Sequence, residues 1–328
     1  MPRRFLVTGG AGYVGSHLVA TVRDRGDIAV VLDNLSIGHR QAVPDDVALI
    51  EADLADAAAV DAVLQQGPWD AVFHFAALSQ VGESIREPLR YLMQNAGNGM
   101  RLIDACVRHG VGRFVLSSTA ALFHATGAGP IPADAPADPQ SPYGESKWMI
   151  ERALRWASQV HGMRHACLRY FNAAGADPQG RLGEDHRPET HLMPLAIDAA
   201  LGRRPPLTVF GSDYPTRDGT CVRDYIHVTD LAAAHLLALD AMDAGDVTWN
   251  LGNGAGYSVT EVLQAVERVS GRPVPHVVSG RRAGDTASLV ASAEPALKAG
   301  WQPKYAGLAD IVRTAFLWRQ AHPNGYGN

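Results

Sequence analysis

"RFLVTGGAGYVGSH", residues 4–17, decides the fold of this 328-residue chain. Three apolar residues, Phe5, Leu6 and Val7, run into glycines and then into a helix-forming stretch. A short apolar run without polar alternation predicts a strand buried on both faces. Gly9, Gly12 and Gly15, between such a strand and a helix, let backbone amides approach a pyrophosphate. The helix N-terminus adds partial positive charge. A tight strand–helix turn would by itself explain one glycine triplet, but the next apolar run, "IAVVLD" (28–33), ends in an acid. Asp33 lies 18 residues past Gly15, near the spacing at which a carboxylate meets the adenosine ribose hydroxyls. A carboxylate there repels a 2′-phosphate, so NAD is the expected cofactor.

Working outward, residues 4–9, 28–33, 47–53, 71–77, 113–118 and 165–171 read as strands, and 14–25, 56–66, 88–109 and 143–161 as helices. This alternation predicts an α/β fold, a doubly wound parallel sheet of the Rossmann type, with its ligand crevice at the carboxyl ends of the strands. Asp53, closing the third strand, is a second candidate for the adenine end or a cap for the following helix. After residue 171 the rhythm breaks into Gly-, Pro-, Asp- and Arg-rich sequence with one clear helix near 192–202. The reading is therefore an NAD-binding domain over 1–171 and a smaller C-terminal α/β substrate domain over 172–328. A strand and helix near 224–242, capped by Thr229 or Asp230, are expected to return to the first domain. A further helix should end at Gly271.

With 46% apolar and 19% charged residues, the chain can bury a full core. Its formal net charge of −5 offers no footprint for nucleic acid or an anionic membrane. Cys106, Cys167 and Cys221 form neither a CxxC nor a disulfide framework. "MPRRFLVTGG" has too short an apolar run for a signal peptide, and no stretch suits a membrane span. The expected location is the cytoplasm. No metal is expected either. His161 and His165 lack the glutamate of HExxH, and His186, His191, His227 and His235 show no ligand spacing.

"SPYGESK" (141–147) begins as a helix start, with Ser141 as N-cap and Pro142 at the first helical position. Tyr143 and Lys147 then share a face. They follow "VLSSTAA" by about 25 residues, placing the Thr119 hydroxyl at the same strand ends. A lysine ammonium and a positive nicotinamide would draw the phenol down from its ordinary pKa near 10. The phenolate is then a general base for a sugar or alcohol hydroxyl.

With these motifs the chain resembles the extended short-chain dehydrogenase/reductase superfamily and, within it, the UDP-glucose 4-epimerase family. The resemblance runs through "LDNLSIGHR", "SPYGESK", "LRYFNAAGADPQGRLGED", "HLMP", "FGSDYPTRDGTCVRDYIHVTDLA", "NLGNGAGYSV" and "RRAGD". It implies interconversion of UDP-glucose and UDP-galactose through a transient 4-keto sugar, with Thr119, Tyr143 and Lys147 catalytic. It implies NAD contacts from Gly9, Gly12, Tyr13, Val14, Gly15, Asp33, Asn34, Asp53, Leu54, Phe75, Ala76, Ala77, Asn95, Lys147 and Phe171. The UDP-sugar would meet Thr119, Tyr143, Asn172, Leu192, Phe210, Arg223, Arg282 and Asp285. An ion pair between Arg223 and Asp224 is the bland alternative for that arginine.

The resemblance also implies a homodimer through helices 88–109 and 143–161, with Trp148 and Trp156 on one face. Ser79, Phe123, His124 and His191 depart from the commonest family pattern and leave the sugar open: UDP-N-acetylhexosamines, UDP-pentoses and UDP-uronates are alternatives. A 4,6-dehydratase would need an acidic pair where Ala120 and Ala121 stand, and a non-catalytic NAD-sensing protein would have lost Tyr143 or Lys147.

Overall fold

Alternation along the first strand sorts the core into two layers. The computed structural model describes residues 1–124, 129–282 and 285–327. Its strands, in chain order, are β1 (Arg4–Thr8), β2 (Ile28–Asp33), β3 (Ala48–Glu51), β4 (Ala71–His74), β5 (Arg113–Thr119), β6 (Arg164–Tyr170), β7 (Asn172–Ala174), β8 (Leu207–Phe210), β9 (Val222–Arg223), β10 (Tyr225–His227), β11 (Val247–Leu251), β12 (Tyr257–Ser258), β13 (His276–Ser279) and β14 (Ser288–Leu289). The helices are α1 (Tyr13–Asp24), α2 (Ala57–Leu64), α3 (Val81–Arg86), α4 (Pro88–Tyr91), α5 (Asn98–Arg108), α6 (Pro142–His161), α7 (Leu192–Ala200), α8 (Val228–Ala241), α9 (Val259–Ser270), α10 (Glu294–Lys298) and α11 (Leu308–Ala321).

Phe5 and Val7 of β1 join one apolar cluster with Val31, Phe73 and Val115, under α1 and α8. Leu6 joins the other with Val30, Leu32, Val72, Phe114 and Leu116, under α2, α5 and α6. Successive side chains of a strand point to opposite faces, and both faces are covered, so the strands carry no polar alternation. Seven strands make one parallel sheet in the order β11-β6-β5-β4-β1-β2-β3. This is the doubly wound Rossmann-type sheet that the sequence predicts.

Several elements differ locally from expectation. The predicted helix over 88–109 is α4, a π turn over Leu92–Gly97 and α5. The predicted fourth strand leaves the ladder after His74, where the amides of Phe75 and Ala76 both turn to the Thr8 carbonyl. Helix α2 is capped by Asp56, whose side chain accepts from Ala58 and Ala59, and not by Asp53. Neither Thr229 nor Asp230 caps α8. The His227 ring accepts from the Thr229 amide there, while Asp230 accepts from the amides of Lys304 and Tyr305. The strand near 224 is β10, paired with β7 in a ladder of its own, and the seventh strand of the large sheet is β11. Gly271 does end α9, at φ 67°. A third apolar cluster gathers α7, α9 and α11 with Leu207 and Val209 of β8.

Five buried histidines tie the stability of this fold to pH, and burial lowers His165 as it does the other four. Burial lowers His17 and His235 to about 4 and His74 and His227 to about 3. Unfolded, each binds a proton near pH 6.5. Between pH 6.5 and 5 the unfolded chain therefore holds more protons, and stability falls as pH falls, by up to about 1.4 kcal/mol per pH unit per histidine. Urea unfolding midpoints at pH 7, 6 and 5 should drop steeply across this window. A flat series would show that these rings are not held neutral.

Candidate active site

The glycine turn is shaped by close backbone approach. Gly9 has φ 73°, and a Cβ there would lie 2.4 Å from the Ala76 nitrogen. A Cβ on Gly15 would lie 2.2 Å from the Gly9 carbonyl oxygen. Helix α1 starts after Gly12 with no side-chain cap, leaving its first amides to a ligand. Tyr13 is held by its hydroxyl, which donates to the Gly175 carbonyl at 2.7 Å, and Val14 packs against the first cluster.

At the tip of β2, Asp33 is 8% exposed and accepts from the amides of Ala11 (3.0 Å) and Leu35 (2.9 Å). Burial raises its pKa despite those bonds. Asn34 donates to Asp53 at 2.7 Å, so both residues stand together beyond β2 and β3, beside the buried Leu54. Phe75, Ala76 and Ala77 are half-buried at the end of β4, with Phe75 against the His235 ring. A cradle that any Cβ would fill, an uncapped helix start and a carboxylate at the next strand tip fit a dinucleotide. Asn95 lies behind this edge. It is 1% exposed, and its amide is spent on the Leu78 backbone and the Ser146 hydroxyl, so it ties β4's exit loop to α6.

Three consecutive residues of β5 hold three residues of α6. Ser141 caps the helix by accepting from the Gly144 amide, and Pro142 occupies its first turn, as its sequence predicts. The Lys147 ammonium, 1% exposed, donates to the Ser117 carbonyl at 2.8 Å. The Ser118 hydroxyl donates to Glu151 at 2.6 Å. The Thr119 hydroxyl stands by Tyr143, where it favours the ionised phenol, and accepts from the Ala121 amide at 3.0 Å.

Burial lowers Lys147 to about 8, opposed by Glu151. Burial also raises the Tyr143 phenol, with Thr119 acting the other way. The depressed phenol expected from the sequence is thus not supplied by the chain: burial outweighs it, and the ammonium is directed to Ser117. Next to this set, the Tyr170 hydroxyl lies 2.5 Å from the Ser117 hydroxyl.

Sequence reasoning missed Glu151 and Arg169. Glu151 is fully buried and takes a forked bond from the Arg169 guanidinium, at 2.9 and 2.6 Å. Arg169 also donates to the Ala133 carbonyl and covers the Phe123 ring. Glu151 sits four residues after Lys147, on the same helical stripe, and that spacing was the available signal.

The C-terminal residues expected at a UDP-sugar also converge. Arg282 lies 4.7 Å over the Phe210 ring and donates to Asp285 at 3.1 Å, and Arg223 stands 3.7 Å from Asp285. Ala283 and Gly284 of "RRAGD" lie outside the described residues. The Arg223–Asp224 ion pair does not form. Asp224 instead accepts from the amides of Asn253, Gly254 and Ala291. Asn172 reaches the Asp224 carbonyl, Phe171 donates its amide to Leu251, and Leu192 opens α7. Histidine spacing alone did not show that two glutamates join two of these histidines: Glu184, His186, Glu189 and His191 come together.

Residues 5–252 match the NAD dependent epimerase/dehydratase family. A UDP-glucose 4-epimerase of Halalkalibacterium halodurans is 46% identical over 98% of this chain and 97% of that protein. Among solved structures, a UDP-glucose 4-epimerase from Brucella ovis in complex with NAD is 42% identical, with a TM-score of 0.93 over 96% of this chain and 98% of that one. The Bifidobacterium longum enzyme, in complex with NAD+ and UDP, has a TM-score of 0.93 at 34% identity, covering 98% and 99% of the two chains. Likeness of this extent, over a glycine cradle and a Thr–Tyr–Lys set at the same sheet edge, places the chain in the NAD dependent epimerase/dehydratase family, among the UDP-glucose 4-epimerases.

Proposed function

We propose that the chain is an NAD-dependent isomerase that interconverts UDP-glucose and UDP-galactose. The observation that carries this reading is the lacing of β5 to α6, which sets a hydroxyl, a phenol and an ammonium at the carboxyl ends of the sheet beside the glycine cradle. Bound NAD supplies a hydride acceptor and donor for the fourth carbon of the sugar. Gly9, Gly12, Gly15, Tyr13, Asp33, Asn34 and Asp53 would hold it, together with Phe75 and Phe171.

Tyr143 takes the proton of the sugar's 4-hydroxyl and returns it to the same oxygen after the keto sugar has presented its other face. Thr119 stands beside that phenol, and the Lys147 ammonium, together with the positive nicotinamide of bound NAD, would favour the phenolate. Arg223 and Arg282 bind the diphosphate by forked hydrogen bonds, Phe210 covers the uracil and Asp285 accepts ribose hydroxyls. Anchoring at UDP leaves the keto sugar free to turn between the two proton transfers.

The purified protein should carry NAD and convert either UDP-hexose into the other with no net redox change, as followed by NMR. Accumulation of one NADH per turnover with release of a keto sugar would overturn the reading.

We also propose a homodimer. Val81, Ile85, Leu89, Met93, Trp156 and Val160 are exposed on α3, α4, the π turn and α6, a patch whose burial would favour association. Trp148, expected beside Trp156 on this face, instead lies under Arg155 and Arg169 within the chain, so Trp156 is the anchor. Light scattering should give about twice the 35.0 kDa chain mass. The monomer mass at micromolar concentration would exclude the dimer. No helix among the described residues is long and apolar enough to cross a membrane.

A further inference from the structure

We propose that Glu184, His186, Glu189 and His191 form a binding site for a divalent transition-metal ion, zinc by ligand chemistry. The four lie in the irregular segment between β7 and α7, and one ligand atom from each falls within 4.8 Å of all the others. His191 Nδ1 is 2.8 Å from Glu184 Oε1 and 3.0 Å from Glu189 Oε1. His186 Nδ1 is 3.2 Å from Glu184 Oε1 and 3.7 Å from Glu189 Oε2. Zinc bound to nitrogen and oxygen at about 2.0–2.1 Å in a tetrahedron has ligand atoms about 3.3 Å apart. The four histidine–glutamate separations bracket that edge.

A second observation points to a ligand. Among the described residues, His186 Nδ1 and Glu189 Oε2 are both fully covered and make no hydrogen bond. The Glu189 side chain is only 8% exposed. A buried polar atom without a hydrogen bond costs about 1–3 kcal/mol, more for a charged group, and these two meet only at ion-pair distance, 3.7 Å from each other and 3.2 Å from His186 to Glu184. One cation between them satisfies both. Two carboxylates and two neutral imidazoles also balance a divalent charge, and that donor mixture suits zinc better than magnesium or calcium.

The surroundings hold the donors in place. Glu189 Oε1 accepts from the amides of Thr190 (2.8 Å) and His191 (2.9 Å), which turns Oε2 into the cluster. The backbone between Glu184 and His186 is held by His39, whose Nε2 meets the Asp185 carbonyl at 2.8 Å, and by the Tyr326 amide on the Asp185 carboxylate. The His186 ring packs edge-on against Tyr13. The His191 side chain is 48% exposed and gives the ion its entry path. Four protein donors make a closed site, so the ion's work is structural. It braces the segment that packs on Tyr13 through His186 and leads into Leu192 and α7.

The test uses full-length protein, stripped with a chelator and titrated with zinc chloride by calorimetry, with metal content of the untreated protein measured by mass spectrometry. One zinc per chain is expected, together with a higher melting temperature. Cobalt should give the intense visible bands of a tetrahedral site. His186→Ala and His191→Ala should each weaken zinc by at least 10-fold, since even residues behind the ligands cost that much. Exposed His161→Ala should leave it unchanged. Glu189→Gln, nearly the same shape, serves if a histidine variant fails to fold. The proposal is overturned by absence of stoichiometric binding, by binding that survives the cluster substitutions, or by equal loss in His161→Ala. It does not depend on the epimerase reading, because none of these measurements uses activity.

Discussion

Replacing Tyr143 by Phe is expected to lower turnover by about 10²–10⁴-fold, the usual contribution of a positioned general base. The ring and its packing remain, and only the hydroxyl beside Thr119 is lost. Loss of one side-chain hydroxyl and any bond it makes costs about 1 kcal/mol of stability, so the variant should fold. The residues proposed for UDP and for the pyrophosphate lie elsewhere, and equilibrium binding of both should persist.

Lys147→Met should also slow turnover, and the pH profile separates the two roles. Activity should decline on the acid side as the phenolate takes up a proton. Without the ammonium that limb should move toward alkaline pH, because burial alone raises the phenol. Wild-type turnover in Tyr143→Phe would remove this residue from the chemistry.

Glu151→Ala should destabilise the protein by about 3–5 kcal/mol, because it strands the Arg169 guanidinium, itself 2% exposed, without its counter-charge. That is a large part of the 5–15 kcal/mol by which folded domains commonly exceed their unfolded states. The loss is one-sided. A double variant, Glu151→Leu with Arg169→Met, removes both charges and should recover most of the stability. Calorimetric melting of the wild type, Glu151→Ala and the double variant tests this. If the single and double variants melt together, the buried pair does not have the assigned weight. The Ser118 hydroxyl and the Ala133 carbonyl share this pair, so the same change should loosen the strand end that carries Thr119.

The parallel sheet, the glycine turn and the Tyr143–Lys147 stripe were legible in the chain itself. Each depends on residues near in sequence, through apolar runs without alternation, glycines at fixed offsets and a capped helix start. Those local rules determined the first strands and the face that carries Tyr143, and they placed Asp33 at a strand tip. They could not determine what meets across the sheet. Glu151 finds Arg169 only because β5 and β6 lie side by side with α6 across them. Asp224 abandons its neighbour Arg223 because three amides from distant loops reach it first, freeing the arginine toward Asp285. Gathering two glutamates with two histidines likewise required a chain path between β7 and α7 that has no periodicity to read. Local propensity is written residue by residue along the sequence. The partner of a buried charge, or of an orphaned ring nitrogen, is chosen by packing that brings residues far apart in the chain to within hydrogen-bond reach, and only the tertiary structure decides that.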